Sequence, residues 1–307
     1  MTTVRHRSYR QRPRRAILVQ MWLPWNLAAL AALGLVAIGV TARRVGGQRV
    51  VAASAWATEA ALVFGLYAIW QRAGELSVLH EQGAITRGRQ VWDAERWLPL
   101  PSELRLQHWL LPHGTFVQIA NGYYAVAHVP ALVIFLVWMF LRHRSAYPAW
   151  RNVVALLTGA CLLIQLIPVA PPRFYPLLGF VDTGKLYDQS VYGAVGHGIS
   201  DQLSAMPSVH VGWAVLVGVG AVLVSSSQWR WLALVHSVLT CLVVVVTGNH
   251  WWLDGVVAAA ILVAAMGLER RVRALFVRWL TPAKELGSSD GHELLAGSGQ
   301  AQHSPNR

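Results

Sequence analysis

The stretch TGNHWWLD, residues 247–254, separates two long apolar segments of the sequence. It places His250 and Asp254 four residues apart, so in a helical turn their side chains share one face. The carboxylate can then hold one ring nitrogen of the imidazole and leave the other nitrogen free to react. This spacing predicts an oriented histidine, which is half of a nucleophilic site, at the junction of two apolar segments.

The composition is that of a membrane protein. Of the 307 residues, 55% are hydrophobic and 13% are charged, whereas a soluble domain carries about 25% charged residues. Several apolar runs reach the roughly 20 residues that span a bilayer. The formal net charge of +12 comes mostly from arginines that flank the apolar runs. This placement favours anchoring at the cytoplasmic side and attraction to anionic lipid over nucleic-acid binding. We therefore predict an all-α, multi-pass transmembrane helical bundle.

Composition divides the chain into five regions. They are a basic tail with six arginines (1–15), N-terminal transmembrane helices (16–70), an amphipathic, interfacial segment (71–115), a membrane core with the candidate site (116–270), and a basic juxtamembrane segment with a disordered tail (271–307). Seven spans are predicted, at about residues 17–42, 50–70, 116–141, 153–169, 208–224, 229–246 and 254–268.

Tryptophans cluster at the ends of the apolar runs, which is typical of an aromatic belt at the membrane interface. The belt would contain Trp22, Trp25, Trp70, Trp92, Trp97, Trp229, Trp231, Trp251 and Trp252. The two cysteines, Cys161 and Cys241, lie within apolar runs, where we expect packing rather than a disulfide or a metal site.

Two further motifs accompany residues 247–254. Arg173 lies in APPRFYP (170–176), and Ser208 and His210 lie in AMPSVH (205–210). No span separates the first motif from the second, and two spans separate the second from the third. All three motifs therefore reach the same face of the membrane.

These residue types suit phosphoryl transfer. The guanidinium of Arg173 matches phosphate oxygens, and Ser208, expected in the first turn of a helix, adds a hydroxyl and backbone N–H groups. His250 can attack phosphorus, His210 can protonate the departing alkoxide, and water or an acceptor hydroxyl can complete the cycle. Residues expected around this site are Asn249, Tyr175 and Gln107.

The motifs resemble those of the type 2 phosphatidic acid phosphatase (PAP2) superfamily, and more narrowly its branch of inositol phosphorylceramide synthases and related bacterial membrane proteins. The resemblance implies a six-helix core, here with an extra N-terminal helix. It also implies that His250 is a phosphohistidine nucleophile with Asp254 as its partner, and His210 is the general acid. Arg173 and Ser208 would bind phosphate. The resemblance covers about 153–268, and more loosely 87–141, where the upstream pattern includes Glu95, Glu103, Gln107, Tyr123, Tyr124 and His128.

The chain departs from the common lipid-phosphatase pattern at three positions. Leu166 and Val244 stand where that pattern has a lysine and an arginine, and Val209 stands in place of a glycine. A phosphomonoester carries about −1.5 to −2 charge at pH 7, so a phosphodiester suits the remaining arginine better. A transferase or head-group reaction is therefore favoured, unless Lys185 or the upstream segment supplies the missing charge.

Other functions remain open. The substrate partner would be a membrane lipid phosphate, with a polyol or lipid as acceptor, but a plain lipid phosphomonoesterase or a polyprenyl (di)phosphate phosphatase fits the same motifs. A non-enzymatic transporter or structural membrane protein is a second alternative. A serine hydrolase using Ser208 is a third, although the Gly-x-Ser-x-Gly elbow is missing. The proposed chemistry needs no metal, so we expect no metal and no other cofactor.

The resemblance and the arginines together suggest a location. A bacterial plasma membrane with the site at its outer face puts most arginine clusters inside, as the positive-inside rule prefers. Seven complete spans would, however, leave the six-arginine tail outside. His128 and His236 lie within spans, where we expect them to form helix–helix hydrogen bonds.

Overall fold

The fold is all-α, as predicted. The computed structural model describes residues 23–45, 47–76, 83–189 and 202–280, and these form eleven α-helices. The helices are α1 (Trp25–Val45), α2 (Gln48–Leu76), α3 (Ala84–Glu95), α4 (Glu103–Leu110), α5 (Gly114–Val126), α6 (His128–Arg142), α7 (Tyr147–Gln165), α8 (Thr183–Leu186), α9 (Val209–Val224), α10 (Leu232–Val246) and α11 (Trp252–Leu280). The basic tail 1–15 and the predicted disordered tail beyond residue 280 lie outside the described residues.

The structure confirms a multi-pass membrane protein. Within the described ranges, four helical segments are long and apolar enough to cross a membrane, at Trp25–Val45, Tyr147–Gln165, Gln228–Val246 and Trp252–Val277. The pair α5 and α6 makes a fifth candidate, bent by 49°. Two apolar helices, Ala53–Ile69 and Val209–Val224, are shorter than this, so the described ranges contain four or five candidate spans where the sequence predicts seven.

The two largest differences from the predicted spans are a break in one of them and an extension of another. The predicted span 116–141 is broken at Ala127, between α5 and α6. The last helix does not end near residue 268, because α11 continues to Leu280 through the basic residues. An apolar stretch indicates burial in lipid or protein, but it contains no signal for a bend or for a polar extension of the same helix.

The centre of the bundle is α9, which packs against α6, α7, α10 and α11. Buried residues occur all round this helix, as expected for a helix that is apolar on every side. Its main core neighbours include Met139, Leu157 and Leu262. Trp213 on α9 also donates its indole N–H to Thr158 Oγ1 on α7 at 2.9 Å. The helix that carries His210 is therefore the most enclosed element of the fold.

A second, smaller core lies at the end of the bundle where α11 begins. The interfacial segment folds into α3 and α4, and α3 buries one face through Ala84, Gly88, Trp92 and Glu95. Trp251 is only 1% exposed, packs against Trp92 and donates its indole N–H to the carbonyl of Ala170 at 2.9 Å. The predicted interfacial position is therefore wrong for both tryptophans.

The N-terminal helices α1 and α2 form a hairpin that lies beside α7. Arg151 forms an ion pair with Glu59 at 2.7 Å, and Tyr147 donates its hydroxyl to the same carboxylate at 3.0 Å. Trp56 packs edge-on against Phe140 of α6, with 4.2 Å between ring centroids. These contacts join the hairpin to the bundle far from the polar junction at residues 247–254.

Close packing of α9 against α10 depends on Gly218. A Cβ atom at this position would lie 2.3 Å from Ser237 Oγ and 3.0 Å from Leu234 Cδ2. We predict that Gly218→Ala destabilises the protein by about 1–3 kcal/mol through overpacking, measured as a lower unfolding temperature in detergent. Gly159→Ala is the matched control, because its Cβ meets nothing within 4 Å, and it should be neutral or stabilising by up to about 1 kcal/mol. Equal effects of the two substitutions would contradict this packing.

Candidate active site

Backbone hydrogen bonds join the first sequence motif to the second and to the third. Val169 donates its N–H to the carbonyl of Leu203 at 2.7 Å and accepts the N–H of Ala205 at 3.1 Å, as an isolated parallel bridge. Arg173 donates its N–H to the carbonyl of Gly248 at 3.0 Å. The three motif loops are therefore in direct contact and lie on one shared face, as the number of intervening spans predicts.

Gly248 allows this approach. Its φ of +71° is in the left-handed region, and a Cβ would lie 3.0 Å from Gln107 Nε2 and 3.5 Å from Arg173 Cβ. Gln107 is fully buried and pairs with the backbone of Val181, donating to its carbonyl at 3.0 Å and accepting its N–H at 2.8 Å. Gln107 thus fixes the loop beside Gly248, as a residue that surrounds the site.

The hydrogen bonds of His250 define its tautomer. Its Nδ1 lies 2.9 Å from the carbonyl oxygen of Ala205 and 3.2 Å from Asp254 Oδ2. Both oxygens face this nitrogen as acceptors, so Nδ1 must carry the hydrogen. In the neutral ring the lone pair is then on Nε2, which lies 3.4 Å from Nδ1 of His210. The structure therefore contains the oriented histidine that the four-residue spacing predicts.

Asp254 is held from several directions. It is fully buried, and its Oδ2 also accepts the N–H of Trp251 at 2.8 Å. Its main-chain carbonyl accepts the N–H of Ser208 at 3.1 Å. The start of α11 is thereby tied to the start of α9, and the ties keep His210 and His250 adjacent.

Arg173 is 7% exposed and lies beside the residue that precedes His250. Its guanidinium donates to Asn249 Oδ1 through Nη1 and to the carbonyl of Gln202 through Nη2 at 3.1 Å. Asn249 in turn donates to Thr247 Oγ1 at 2.8 Å. These bonds fix the plane of the guanidinium, so the predicted proximity of Asn249 to the site agrees with the structure.

Ser208 and Tyr175, two of the predicted site residues, form hydrogen bonds within the fold. Ser208 is the N-cap of α9 and not part of its first turn: its Oγ accepts the N–H of Val211 at 3.3 Å. Its own N–H is taken by Asp254, but those of Val209 and His210 have no hydrogen bond within the described ranges. Such first-turn N–H groups suit an anion, because helix geometry leaves them without a backbone acceptor.

The hydroxyl of Tyr175 contacts α3. It donates to the carbonyl of Ile85, and burial raises its pKa to about 12. Its ring packs against Trp251 with 5.7 Å between centroids. Tyr175 therefore holds the arginine loop against the interfacial helices.

The start of α6 lies closer to the two motif histidines than the sequence indicates. His128 is 3% exposed, and its ring lies 4.8 Å from the ring of His210. Tyr124 also contacts His210, at 4.9 Å between centroids. The predicted helix–helix hydrogen bond is found for His236, whose Nδ1 lies 2.6 Å from the hydroxyl of Tyr123. His128 instead forms part of the wall around the two motif histidines.

A buried polar network on α5 was not predicted. Asn121 donates to the carbonyl of Thr183 at 3.0 Å, and the Thr183 hydroxyl lies 2.8 Å from Asn121 Oδ1 and 3.2 Å from the carbonyl of Thr247. The available signal was the amide of Asn121 within an apolar span, since polar groups are costly there and are retained for a purpose. This network supports the turn that precedes Gly248.

Residues 89–268 match the family model described as PAP2 superfamily, and this match covers more than half of the 307 residues. The chain therefore belongs to the PAP2 superfamily, and membership implies phosphatase-type or phosphotransferase-type activity. Comparison with curated proteins and comparison with solved structures each gave no match. The match is to the superfamily as a whole and gives no evidence for the inositol phosphorylceramide synthase branch. In the part of the chain that the structure describes, no cluster of three or more His, Cys, Asp or Glu side chains could hold a metal ion.

The tautomer of His250 can be tested directly. We predict that nitrogen NMR of protein labelled with ¹⁵N-histidine shows a protonated Nδ1 and an unprotonated Nε2 for His250 at a pH where the ring is neutral. The reason is that both neighbours of Nδ1 are acceptors. The signal is assigned by its loss in His250→Gln. His143→Gln, changed at a loop residue after α6, is the control and should leave it in place. A neutral ring with the hydrogen on Nε2 would contradict the geometry.

Proposed function

We propose that this PAP2 superfamily protein is an integral membrane phosphotransferase or phosphatase. It would act on a lipid phosphate or phosphodiester through a phosphohistidine on His250. The observation that carries the proposal is the environment of the imidazole. One ring nitrogen is held by Ala205 and Asp254, and the other lies within 3.4 Å of His210. A nucleophile and a second titratable imidazole thus meet at one position.

In the first step, the lone pair of His250 Nε2 attacks phosphorus in line. An N–P bond forms, the P–O bond to the leaving group breaks, and the leaving alkoxide takes a proton from His210. The negative charge of Asp254 stabilises the positive charge that develops on the His250 ring. Proton donation by a positioned acid contributes about 10²–10⁴-fold to such reactions.

In the second step, water or an acceptor hydroxyl attacks the phosphorus of the phosphohistidine. His210 accepts the proton from the incoming oxygen, the N–P bond breaks, and its electron pair returns to His250 Nε2. Attack by water releases a phosphate product, whereas attack by an alcohol creates a new phosphate ester. The same residues therefore serve hydrolysis and transfer, and access of the acceptor decides between them.

Arg173 and the start of α9 would bind the phosphate oxygens. The guanidinium of Arg173 is oriented by Asn249 and Gln202, and a planar donor group of this kind pairs well with phosphate. The N–H groups of Val209 and His210 add the positive end of the helix dipole. Ser208 would contribute mainly by capping this helix.

The charge of the site favours a singly charged substrate. Leu166 and Val244 contribute no cation where related phosphatases have one. Lys185 is 70% exposed and its ammonium lies 3.4 Å from Asp182, so its charge is shared with a carboxylate. A phosphodiester carries one negative charge, and a phosphomonoester carries about −1.5 to −2. We therefore favour head-group transfer from a phosphodiester lipid to a polyol or lipid acceptor, the chemistry that the finer resemblance to inositol phosphorylceramide synthases implies.

The arginines support a site at the outer face of a bacterial plasma membrane. Arg270, Arg271 and Arg273 lie in the last part of α11, whereas Asp254 lies in its first turn. At 1.5 Å per residue the 16 to 19 residues between Asp254 and these arginines extend about 24–29 Å, which is close to the roughly 30 Å thickness of the hydrocarbon core. The positive-inside rule puts the arginine end in the cytoplasm, and the histidines are then outside.

Trapping a phosphoenzyme tests the reaction class. We predict that acid-labile ³²P appears on His250 when purified protein is quenched during turnover of ³²P-labelled phosphatidylinositol or phosphatidic acid. His250→Ala should lose the label and reduce turnover by at least about 10³-fold, because the nucleophile is gone. Exposed His108 of α4, changed to alanine, is the matched control and should keep both. Unchanged turnover in His250→Ala for every lipid phosphate tested would exclude this mechanism.

An acceptor experiment separates transfer from hydrolysis. Vesicles containing ³²P-phosphatidylinositol are incubated with the protein, with and without ceramide as a lipid alcohol, and then with ³²P-phosphatidic acid and added inositol. If the site favours transfer, label should move from phosphatidylinositol to a phosphorylated ceramide, and from phosphatidic acid to inositol phosphate instead of inorganic phosphate. Release of water-soluble phosphate alone, unchanged by any acceptor, would identify a plain phosphatase. His250→Ala gives the background of both reactions.

A further inference from the structure

Two glutamates are buried between the interfacial helices and α11. Glu95 ends α3 and is 5% exposed, and Glu103 begins α4 and is 3% exposed. Neither forms an ion pair with Lys or Arg within the residues that the structure describes. A buried carboxylate without a cation is costly, so these two side chains need another source of stabilisation. The proposed reaction steps do not use either of them.

Glu95 touches the helix turn that carries Asp254. Its Oε1 accepts the N–H of Leu253 at 2.6 Å. Its other oxygen, Oε2, is buried without a partner, as are Glu103 Oε1 and Asp254 Oδ1. The side chains of Glu95 and Glu103 are within hydrogen-bonding reach of each other. Two carboxylate groups have only acceptor atoms, so they can bond to each other only if a proton lies between them.

We propose that Glu95 and Glu103 share one proton and act as a positioning pair for Asp254 and His250. The inference deepens the proposed function and rests on it for its catalytic part. The pair fixes the first turn of α11 through Leu253 and keeps a second negative charge away from the phosphate site.

Electrostatics agrees with a shared proton. Burial raises the pKa of Glu95 to about 10, helped by the hydrogen bond with Glu103 and by the negative charges of Glu103 and Asp254. Those two carboxyl groups, on α4 and α11, are the titratable groups that affect Glu95 from the helices packed against it. At neutral pH the two glutamates then carry one negative charge between them instead of two.

The same proton makes stability depend on pH. The folded protein keeps it at pH values where the unfolded chain, with an ordinary glutamate pKa of about 4.5, has lost it. The folded state therefore binds more protons between about pH 4.5 and pH 10, and stability falls as the pH rises through that window. Above it, the added charge near Asp254 should also weaken binding of an anionic substrate.

Glu95→Gln and Glu95→Leu separate charge from shape. The glutamine oxygen can accept the Leu253 N–H and its amide can donate to Glu103, whereas leucine can do neither. We predict that Glu95→Gln keeps kcat within about 3-fold at pH 7 and flattens the fall of the unfolding temperature between pH 6 and pH 9. It should also remove the alkaline rise in KM. Glu95→Leu should lose about 100-fold in kcat, the scale of a misplaced reacting group.

Asp93→Asn is the matched control, because Asp93 lies on the same helix, is 53% exposed and pairs with Arg89. It should behave like the parent protein in every measurement. The proposal is wrong if Glu95→Gln retains the parent's pH dependence of stability, or if Glu95→Gln and Glu95→Leu lose activity equally. The unfolding measurement needs no substrate, so it tests the shared proton even if no phosphoenzyme is found on His250. In that case the proposed function is wrong, but the proton shared by Glu95 and Glu103 is still supported by the pH dependence of unfolding.

Discussion

The hydrogen bonds at Nδ1 of His250 are the constraint on which the site depends. They require the carbonyl of Ala205, just before α9, and the carboxylate of Asp254, in the first turn of α11, to reach one atom. That is possible only if the start of α9 and the start of α11 are held together, which the bond from Ser208 to Asp254 provides. The site is buried, so little water competes and each bond is stronger than at the surface. The reactive nitrogen is thus positioned by the backbone of the bundle.

A buried polar site at a membrane surface also needs a cover. The second core supplies it, with Trp251 at its centre and α3 and α4 packed over it. The ring of Trp251 fills the space between the arginine loop and α11, and its indole N–H satisfies the carbonyl of Ala170. Glu95 then connects this cover to the turn of Asp254 through Leu253. The cover and the site are therefore one structural unit. A substitution in α3 can change the positions of the histidines without any contact between the substituted residue and the substrate.

Much of this arrangement follows from the sequence, because the signals are local or topological. The His250–Asp254 spacing sets a shared helix face. No span separates Arg173 from His210, and two crossings bring His250 back to their side. Other features depend on tertiary contacts that no local pattern contains. Tryptophan at the end of an apolar run suits a lipid interface and a protein core equally well. The predicted interfacial position of Trp251 is wrong for this reason. The cap at Ser208 was ambiguous for the same reason, since a serine before a helix can cap it or face a ligand.

The balance of buried charge argues for the class of substrate. Around the histidines the protein buries the carboxylate of Asp254 and the single shared charge of the glutamate pair, and the cation of the phosphate motifs is Arg173. A substrate with two negative charges would add to an environment that already contains acidic groups, in a medium that screens them weakly. A phosphodiester adds one charge, which Arg173 and the first turn of α9 can compensate. In the proposed function, the missing cations at Leu166 and Val244 and the burial of Glu95 and Glu103 would therefore act in the same direction, against a dianionic substrate.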